Sequence, residues 1–358
     1  MANTEFATGG NQAVNIWGKL TLKEALKLTL FKKFLGKDKR SIIQQLVDLE
    51  KNAGDTIKFD LLMQMVGAGI TGDNTLKTNE EALVYYQDSV VIDQLRNAHS
   101  FRRMSQQRTI HDLREDASAN LADWFAGKFD DYMFRNLCGD TSMSFGQAAS
   151  APDTAHYLLS GDVTKTGTIA TDEASLGSND QFALSDIDYA KELAETGTPP
   201  VRPAVIDGEE YFVAVLHPYS VVDLRLNVAG STYTTWADIQ MYANNRGLKN
   251  PIFTGALGVY NKVIMFESSR IFSPVASVRR NLLLGSQAGV FAIGNAYKPL
   301  MQKKMGSDNL LSWYEQVDDY GNEQGVAAGC VFGMTATRFN SKDYGKIVMS
   351  SYAIAHSN

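Results

Sequence analysis

Cysteine is almost missing from this chain of 358 residues, which has only Cys138 and Cys330, far apart and outside any CxxC. Such usage fits folding in a reducing compartment, with two small buried hydrophobes; a single disulfide between them stays open. Long apolar runs are missing too. No stretch approaches the roughly 20 uninterrupted apolar residues that span a bilayer, so no membrane partner is expected. Residues Met1 to Gly18 carry no basic segment ahead of an apolar run, so no secretory signal is expected either. Positive charge is not in surplus. The formal net charge is −6, whereas a module that grips nucleic acid through phosphates calls for a basic excess. A mildly acidic balance is shared by many soluble proteins and singles out no partner. Histidine is sparse: His99, His111, His156, His217 and His356 stand singly, with no HExxH, no HxH and no Cys/His pairing, which argues against zinc. Neither GxSxG nor GxxxxGK[ST] occurs, and Gly285-Ser286-Gln287-Ala288-Gly289 has its serine in the wrong place for a nucleophile elbow. No internal repeat marks a solenoid or propeller.

What is present describes a folded protein. Apolar residues make up 44% and charged residues 21%, so a sizeable core is expected and disorder is not. The length suits one large domain or two to three lobes. Ile16 to Leu35 is amphipathic, with Ile16, Leu20, Leu26, Leu30, Phe31 and Phe34 interleaved with lysines, and Ile42 to Leu49 is a second such run. Both read as helices, either an ordinary surface pair or an arm that packs on a neighbouring subunit. Ile57, Phe59, Leu61, Met63 and Met65 then recur at every second position, the period of a strand. A glycine-rich reversal, Gly67-Ala68-Gly69-Ile70-Thr71-Gly72-Asp73-Asn74, follows. Leu83 to Leu95, with Tyr85, Tyr86, Val90, Val91 and Ile92, reads as the returning strand. The result is a hairpin arm of roughly 50 residues, and a hairpin alone in water is marginal, so this one needs a partner surface.

Asp112 to Leu137 carries the clearest helical stripe: Leu113, Ala117, Leu121, Phe125, Phe129, Met133 and Leu137 at every fourth position. Asp112 is placed to cap it, Glu115 to reach back, and Gly139 to stop it. Residues 138 to 183 read as short strands and loops. Leu184 to Thr196 is a further helix, with Ser185 as its cap and Gly197-Thr198-Pro199-Pro200 as its end. From Tyr211 the texture is α+β. Tyr211 to Leu216 is a buried strand, Thr235 to Ala243 a helix, and Val259 to Phe266 a strand. Leu282 to Ile293 is an apolar stretch, and Val326 to Phe339 and Lys346 to Ile354 are the last strands.

Chemistry is scarce. Gly67 to Gly72 spells GxGxxG after a strand, with Asp88 and Asp93 near the place of a ribose-binding acid. The dinucleotide fingerprint requires those glycines to open a helix, and Asp73 to Asn79 carries no helical stripe. A loop tip is the stronger reading. Glu315, Asp318, Asp319, Asn322 and Glu323 crowd Gly321, but not at the alternating spacing of a calcium loop, so a solvated turn is favoured. The basic pairs Lys32-Lys33, Arg102-Arg103, Arg279-Arg280 and Lys303-Lys304 read as solvated faces or ion-pair partners, and a few could touch packaged DNA or a neighbour's acids.

A set of short segments in a fixed order resembles the major capsid proteins of tailed bacteriophages, in a branch typified by podophages. Met1-Ala2-Asn3-Thr4-Glu5-Phe6, with Ala13-Val14 and Trp17, opens it. Gly54-Asp55-Thr56-Ile57, Gly67 to Gly72, Glu80-Glu81-Ala82-Leu83 and Asp93-Gln94-Leu95-Arg96 follow. Asp112-Leu113-Arg114, Leu216-His217-Pro218, Gly255-Ala256-Leu257-Gly258, Asp319-Tyr320-Gly321-Asn322 and Phe339 to Gly345 complete it. The resemblance spans nearly the whole chain and rests on combination, since no single segment is specific.

That resemblance implies an α+β chain of the HK97-like capsid fold. Residues 1–53 would be an N-terminal arm, 54–107 the extended hairpin loop, and 108–183 a peripheral domain with a long spine helix. Residues 184–328 would be an axial domain, and 329–358 strands returning to the peripheral domain. It implies a structural protein without catalytic residues, cofactor or metal, assembling with itself into pentamers and hexamers that form an icosahedral shell around double-stranded DNA. Scaffolding, portal and decoration proteins are the further partners it allows, and the virion and the host cytoplasm during assembly the places. Some relatives join subunits through a Lys–Asn isopeptide bond, but no such pair is identifiable here. Gly67, Ala68, Gly69, Ile70 and Gly72 at the tip, with Trp17, Phe31 and Phe34 in the arm, are the expected subunit contacts. A cellular nanocompartment shell of the same fold, a minor virion component and a dinucleotide-dependent enzyme are the rivals.

Overall fold

The apolar stripe that begins at Leu113 forms the longest helix. In the computed structural model, which describes residues 29–38, 40–46, 54–62, 67, 69–160, 172–206, 208–226, 256–294 and 311–356, helix α1 runs over Leu113–Cys138. Its 26 residues make a rod of about 39 Å. The Asp112 carboxylate accepts the amides of Arg114 and Glu115 at 3.0 and 3.4 Å. At the far end Gly139 turns left-handed, φ 74° and ψ 48°, and a Cβ there would sit 2.7 Å from the Ser150 carbonyl oxygen, so only glycine suits.

The principal strands, in chain order, are β1 (Ile43–Leu46), β2 (Thr56–Leu62), β3 (Tyr85–Val91), β4 (Asp93–Arg102), β5 (Glu209–Leu216) and β6 (Val263–Glu267). Then come β7 (Val278–Leu284), β8 (Gly289–Ile293), β9 (Leu311–Asp318), β10 (Glu323–Ala336) and β11 (Lys346–Tyr352). Helix α2 is Leu184–Thr196.

Two sheets share α1. The first has six strands and is organised on β10. Antiparallel β4 lies along one edge of β10, and β9 and β8 lie end to end along the other, so that Phe332 pairs with Asp93 on one side and Ile293 on the other. Beyond β8, β1 adds in parallel and Leu35–Gly36 after it. Alternate β10 residues Val326, Ala328, Cys330, Phe332 and Met334 are buried in the cluster that holds the α1 stripe. Phe332 is fully buried, with its ring 4.9 Å from that of Phe129.

The second sheet runs Tyr157–Leu159, β11, β7, β5, β6, Ala256–Tyr260, with Ala204–Ile206 paired on β5. It is covered on both faces. Val213, Val215, Leu282, Leu284 and Val348 belong to the α1 cluster, while Phe212, Ala214, Leu216, Leu283 and Ile347 pack with Ile187, Ala190 and Ala194 of α2. Burial on both sides is why this strand reads as an unbroken apolar run and not as an alternation.

Several expectations change. Ile42 to Leu49 is not a helix over its described part: Ile43–Leu46 is a strand, because the edge of β8 offers it backbone partners. Of Ile16 to Leu35, residues to 28 lie outside the described set, and the rest is one short turn, Phe31–Lys33, before the strand Leu35–Gly36. Val259 to Phe266 is two strands, split by Asn261 and Lys262 at φ 46° and 63°, the geometry of a tight two-residue hairpin turn. Leu282 to Ile293 is divided between the two sheets. The returning strand breaks at Ile92, after which β4 leaves the hairpin for β10 and continues to Arg102. Ser185 does not cap α2; the Asp186 carboxylate does, taking the Ala183 amide at 2.7 Å. The helix expected over Thr235 to Ala243 lies outside the described residues. Of residues 329–358, the end of β10 lies in the first sheet, and β11 joins β7 in the second.

The C-terminal turn of α1 is held by cations from the second sheet. The Lys346 ammonium donates to the Leu137 carbonyl at 2.8 Å, and Arg280 Nη1 donates to the Cys138 and Gly139 carbonyls at 2.8 and 2.9 Å. Arg280 also grips Glu173 through two bonds of 2.7 and 2.8 Å. Burial alone would raise the Glu173 carboxyl; the bonds from Arg280, Ser350 and Tyr157 outweigh it and hold the group below its ordinary range. Lys346 is fully buried, which depresses its pKa, and Asp343 at 3.7 Å opposes that shift. Both cysteines are free and buried, and burial pushes the Cys138 thiol up to about 12.

Replacing Lys346 by Met should therefore destabilise the chain by about 3 kcal/mol, since the Leu137 carbonyl loses its donor and the buried Asp343 keeps only Arg338, at 3.4 Å, as a cationic partner; urea unfolding of the two chains measures it, and equal midpoints would refute the account. A second expectation concerns pH. His217 is buried, its Nδ1 accepts the Tyr219 amide at 3.2 Å, and burial with Arg279 nearby lowers its pKa to about 4. The unfolded histidine takes up its proton near 6.5, the folded one only near 4, so unfolding consumes a proton between these values. Stability falls across that window as pH falls, by up to about 3 kcal/mol. In H217N, whose amide oxygen can replace Nδ1, the drop between pH 7 and pH 4.5 should shrink.

Candidate functional site

The hairpin β2–β3 is built on alternation and rooted in the core. Its seven pairs run from Thr56↔Val91 to Leu62↔Tyr85. Ile57 and Val90 point inward and form a small cluster with Val290 and Ala292 of β8. Phe59 sets its ring edge-on to Phe339 at 6.0 Å. The Asp88 carboxylate accepts the Arg338 amide at 2.9 Å. Burial raises the pKa of Asp88, and the Arg338 and Ser89 amides work against that shift. Where the root crosses β10 it meets Gly333, and a Cβ there would come within 2.3 Å of the Val91 carbonyl oxygen. A glycine is what lets the two backbones pass.

Beyond the root, the described residues from Gly67 to Val84 form no helix or strand. Gly69 and Gly72 take φ 70° and 68°, and the Gly67 amide donates to Glu81 Oε2 at 2.8 Å. This stretch exposes large apolar groups. Ile70 is 36% exposed, Leu76 62%, Leu83 60%, Val84 46% and Tyr85 57%. Such a concentration on one projecting element marks an interaction surface.

Gly67, Gly69, Ile70 and Gly72 lie in the stretch beyond the hairpin root, while Ala68 and Trp17 lie outside the described residues. Phe31 and Phe34 correct the sequence reading. They are buried in this chain's own core, with ring centroids 4.6 Å from Phe134 and 5.2 Å from Phe266. The amides of Leu30 and Phe31 donate to Asp130 on α1, and burial raises the pKa of that carboxyl against their opposition. From Thr29 onward this segment is therefore packed on its own chain. The GxGxxG glycines open no helix; the element that follows them is β3. The acidic group near Gly321 lies on the β9–β10 turn, where Glu315 is taken by Arg114 Nε at 3.0 Å and by Trp313 Nε1 at 2.9 Å.

Sequence reasoning missed a second exposed apolar group. The short helix Arg103–Arg108 follows β4, and the Arg103 amide donates to the Asn322 carbonyl at 2.8 Å, tying that end to the β9–β10 turn. Here Met104, Ile110, Val317 and Tyr320 are 53%, 102%, 55% and 109% exposed. The available signal was Asp319-Tyr320-Gly321-Asn322, a turn with a bulky ring at its centre; Tyr320 takes φ 51°, unusual for such a residue.

The comparisons bear on the family and the fold. The sequence matches the family described as phage capsid protein over residues 5–355. The major capsid protein of Pseudomonas phage KPP25 is 26% identical over 384 aligned residues, covering 96% of each chain. Among solved structures, the capsid of Ralstonia phage GP4 superposes with a TM-score of 0.75 at 30% identity, covering 92% of both chains. The capsid of Cyanophage Pam1 gives 0.71 at 22% identity, covering 92% of this chain and 93% of that one. The chain belongs to the phage capsid protein family and has its HK97-like α+β fold.

Proposed function

We propose that this chain is the bulk shell subunit of a tailed phage, and that its projecting hairpin is the element by which copies hold one another. The observation that carries the reading is the hairpin itself: a root locked into the core by Ile57, Val90 and Asp88, and an end that exposes Leu76, Leu83 and Tyr85. Long-lived interfaces run to thousands of Å2, and overlapping neighbours would supply that area. The role is structural and not catalytic, as the family match supports.

In this reading copies form pentamers and hexamers that tile an icosahedral shell around double-stranded DNA, in the virion after assembly in the host cytoplasm. Portal, scaffolding and decoration proteins would join the same shell. The same reading puts a peripheral domain around α1 and an axial domain around the second sheet. DNA in purified particles separates this reading from a nanocompartment that encloses protein cargo.

Deletion of residues 66–74 removes the projecting end and spares the root. The shortened chain should keep cooperative unfolding and the circular dichroism of the natural protein, yet give no closed particles under negative-stain microscopy. Intact shells from it would show that the tip does not lie on an adjacent subunit.

A further inference from the structure

One acid on α1 breaks the logic of its stripe. Of the acids on this helix only Asp130 is buried, beside Ala126, Phe129, Met133 and Phe134. A carboxylate in such a place costs free energy unless it is hydrogen-bonded. Among the described residues its donors are two backbone amides: that of Leu30 reaches Oδ2 at 3.0 Å and that of Phe31 reaches Oδ1 at 3.4 Å. Arg270 attracts the carboxylate, but its own Nη1 donates to the Gly127 carbonyl, at 2.9 Å.

The amides explain the acid. The turn Phe31–Lys33 has three residues, too few to hold itself, and Leu30 ahead of it supplies no side-chain cap. Its first amides have no partner within the turn. Asp130 lies four positions before Phe134, so the two share one side of α1. Phe134 receives the Phe31 ring, at 4.6 Å, and Asp130 receives the Phe31 amide. Apolar packing is non-directional, whereas a hydrogen bond needs alignment. The rings of Phe31 and Phe34 therefore settle where the segment lies, and the two bonds to Asp130 settle which way its backbone points.

We propose that Asp130 is a positioning residue for assembly: by capping Leu30 and Phe31 from a distant place in the sequence, it fixes the direction in which residues 1–28 leave the body of every copy. The cap is not there for stability. Burial works against the ionised carboxyl, and an apolar residue would suit the stripe better. What it supplies is uniformity. A closed symmetric shell requires the same contacts from each copy, and a segment that left the body in several directions would break that match. This consequence rests on the shell-forming reading; the cap itself does not.

The test reads single amides in the full chain. Hydrogen exchange at Leu30 and Phe31 is compared in the natural protein, Asp130→Ala and Asp130→Asn, with amides of α1 and the second sheet as controls. In Asp130→Ala both amides should exchange roughly tenfold faster while the controls keep their rates. Asparagine offers one acceptor oxygen and one donor nitrogen. In Asp130→Asn the Leu30 amide, the closer of the two, should stay protected and only Phe31 be freed. Unchanged rates in both variants, or a rise shared by the controls, overturns the cap. Should the alanine chain fail to fold, the asparagine chain decides alone: a split between Leu30 and Phe31 upholds the cap, and no split overturns it. Negative-stain microscopy reads the consequence. Asp130→Ala should lose most closed particles, with Asp130→Asn in between. Natural particle yield from a chain whose two amides are freed overturns the positioning role and leaves the shell-forming reading standing. Absence of shells from the natural chain overturns that reading, while exchange still decides the cap.

Discussion

Three backbone carbonyls at the end of α1, those of Leu137, Cys138 and Gly139, have no helical amide to bond, and Arg280 and Lys346 take them. These cations come from β7 and β11, adjacent strands whose register sets Leu284 against Lys346. A slip of one residue would turn Lys346 to the face that packs on α2 and leave the helix end open. A buried ammonium is a poor source of net stability. Its contribution here is geometric: it ties the helix end to one register of the second sheet, while the helix side packs on the first. The two sheets therefore stand in a fixed relation through α1, and the hairpin root, which contacts β8 and β10, inherits that rigidity.

How much of this could be read in the sequence follows from where the controlling interactions lie. The α1 helix was legible from end to end because its stripe, its Asp112 cap and its Gly139 stop are all local. The hairpin was legible for the same reason: a period of two before a glycine-rich reversal, and strand-favouring Tyr85, Tyr86, Val90, Val91 and Ile92 after it. The failures share a cause of the opposite kind. Ile43 to Leu46 has an amphipathic helical pattern, and the free edge of β8 overrode it. Leu282 to Ile293 reads as one apolar stretch, and the division between two sheets depends on strands distant in sequence. Phe31 and Phe34 are apolar in any reading; that they face Phe134 and Phe266 of their own chain, not a neighbour, is a property of tertiary packing alone.

The site was legible in part. Gly67 to Gly72 are marked by composition, but the apolar groups that give the tip its adhesive character, Leu76, Leu83, Val84 and Tyr85, look in sequence like ordinary strand or loop residues. Exposure decides, and exposure is not written in a local pattern. The same holds for Met104, Ile110 and Tyr320, which come from two distant segments brought together where β4 pairs with β10 and the Arg103 amide bonds the Asn322 carbonyl.

The contrast between root and tip accounts for how such a subunit can assemble without trapping errors. A two-stranded hairpin on its own is marginal in water. Here the root escapes that limit by packing Ile57 and Val90 on β8 and by bonding Asp88 to the Arg338 amide, so the direction in which the hairpin points is settled before any neighbour arrives. The end beyond the root keeps Leu76, Leu83 and Tyr85 exposed, so what it would gain from a neighbour is modest and local. Contacts of that size are reversible one at a time, and a misplaced copy can leave. Many weak contacts of that kind, acting together, hold an assembly far more firmly than any single pair. A chain with net charge −6 adds a mild repulsion between copies at a distance, screened beyond about 8 Å at physiological salt, so attraction sets in only when complementary groups are already close.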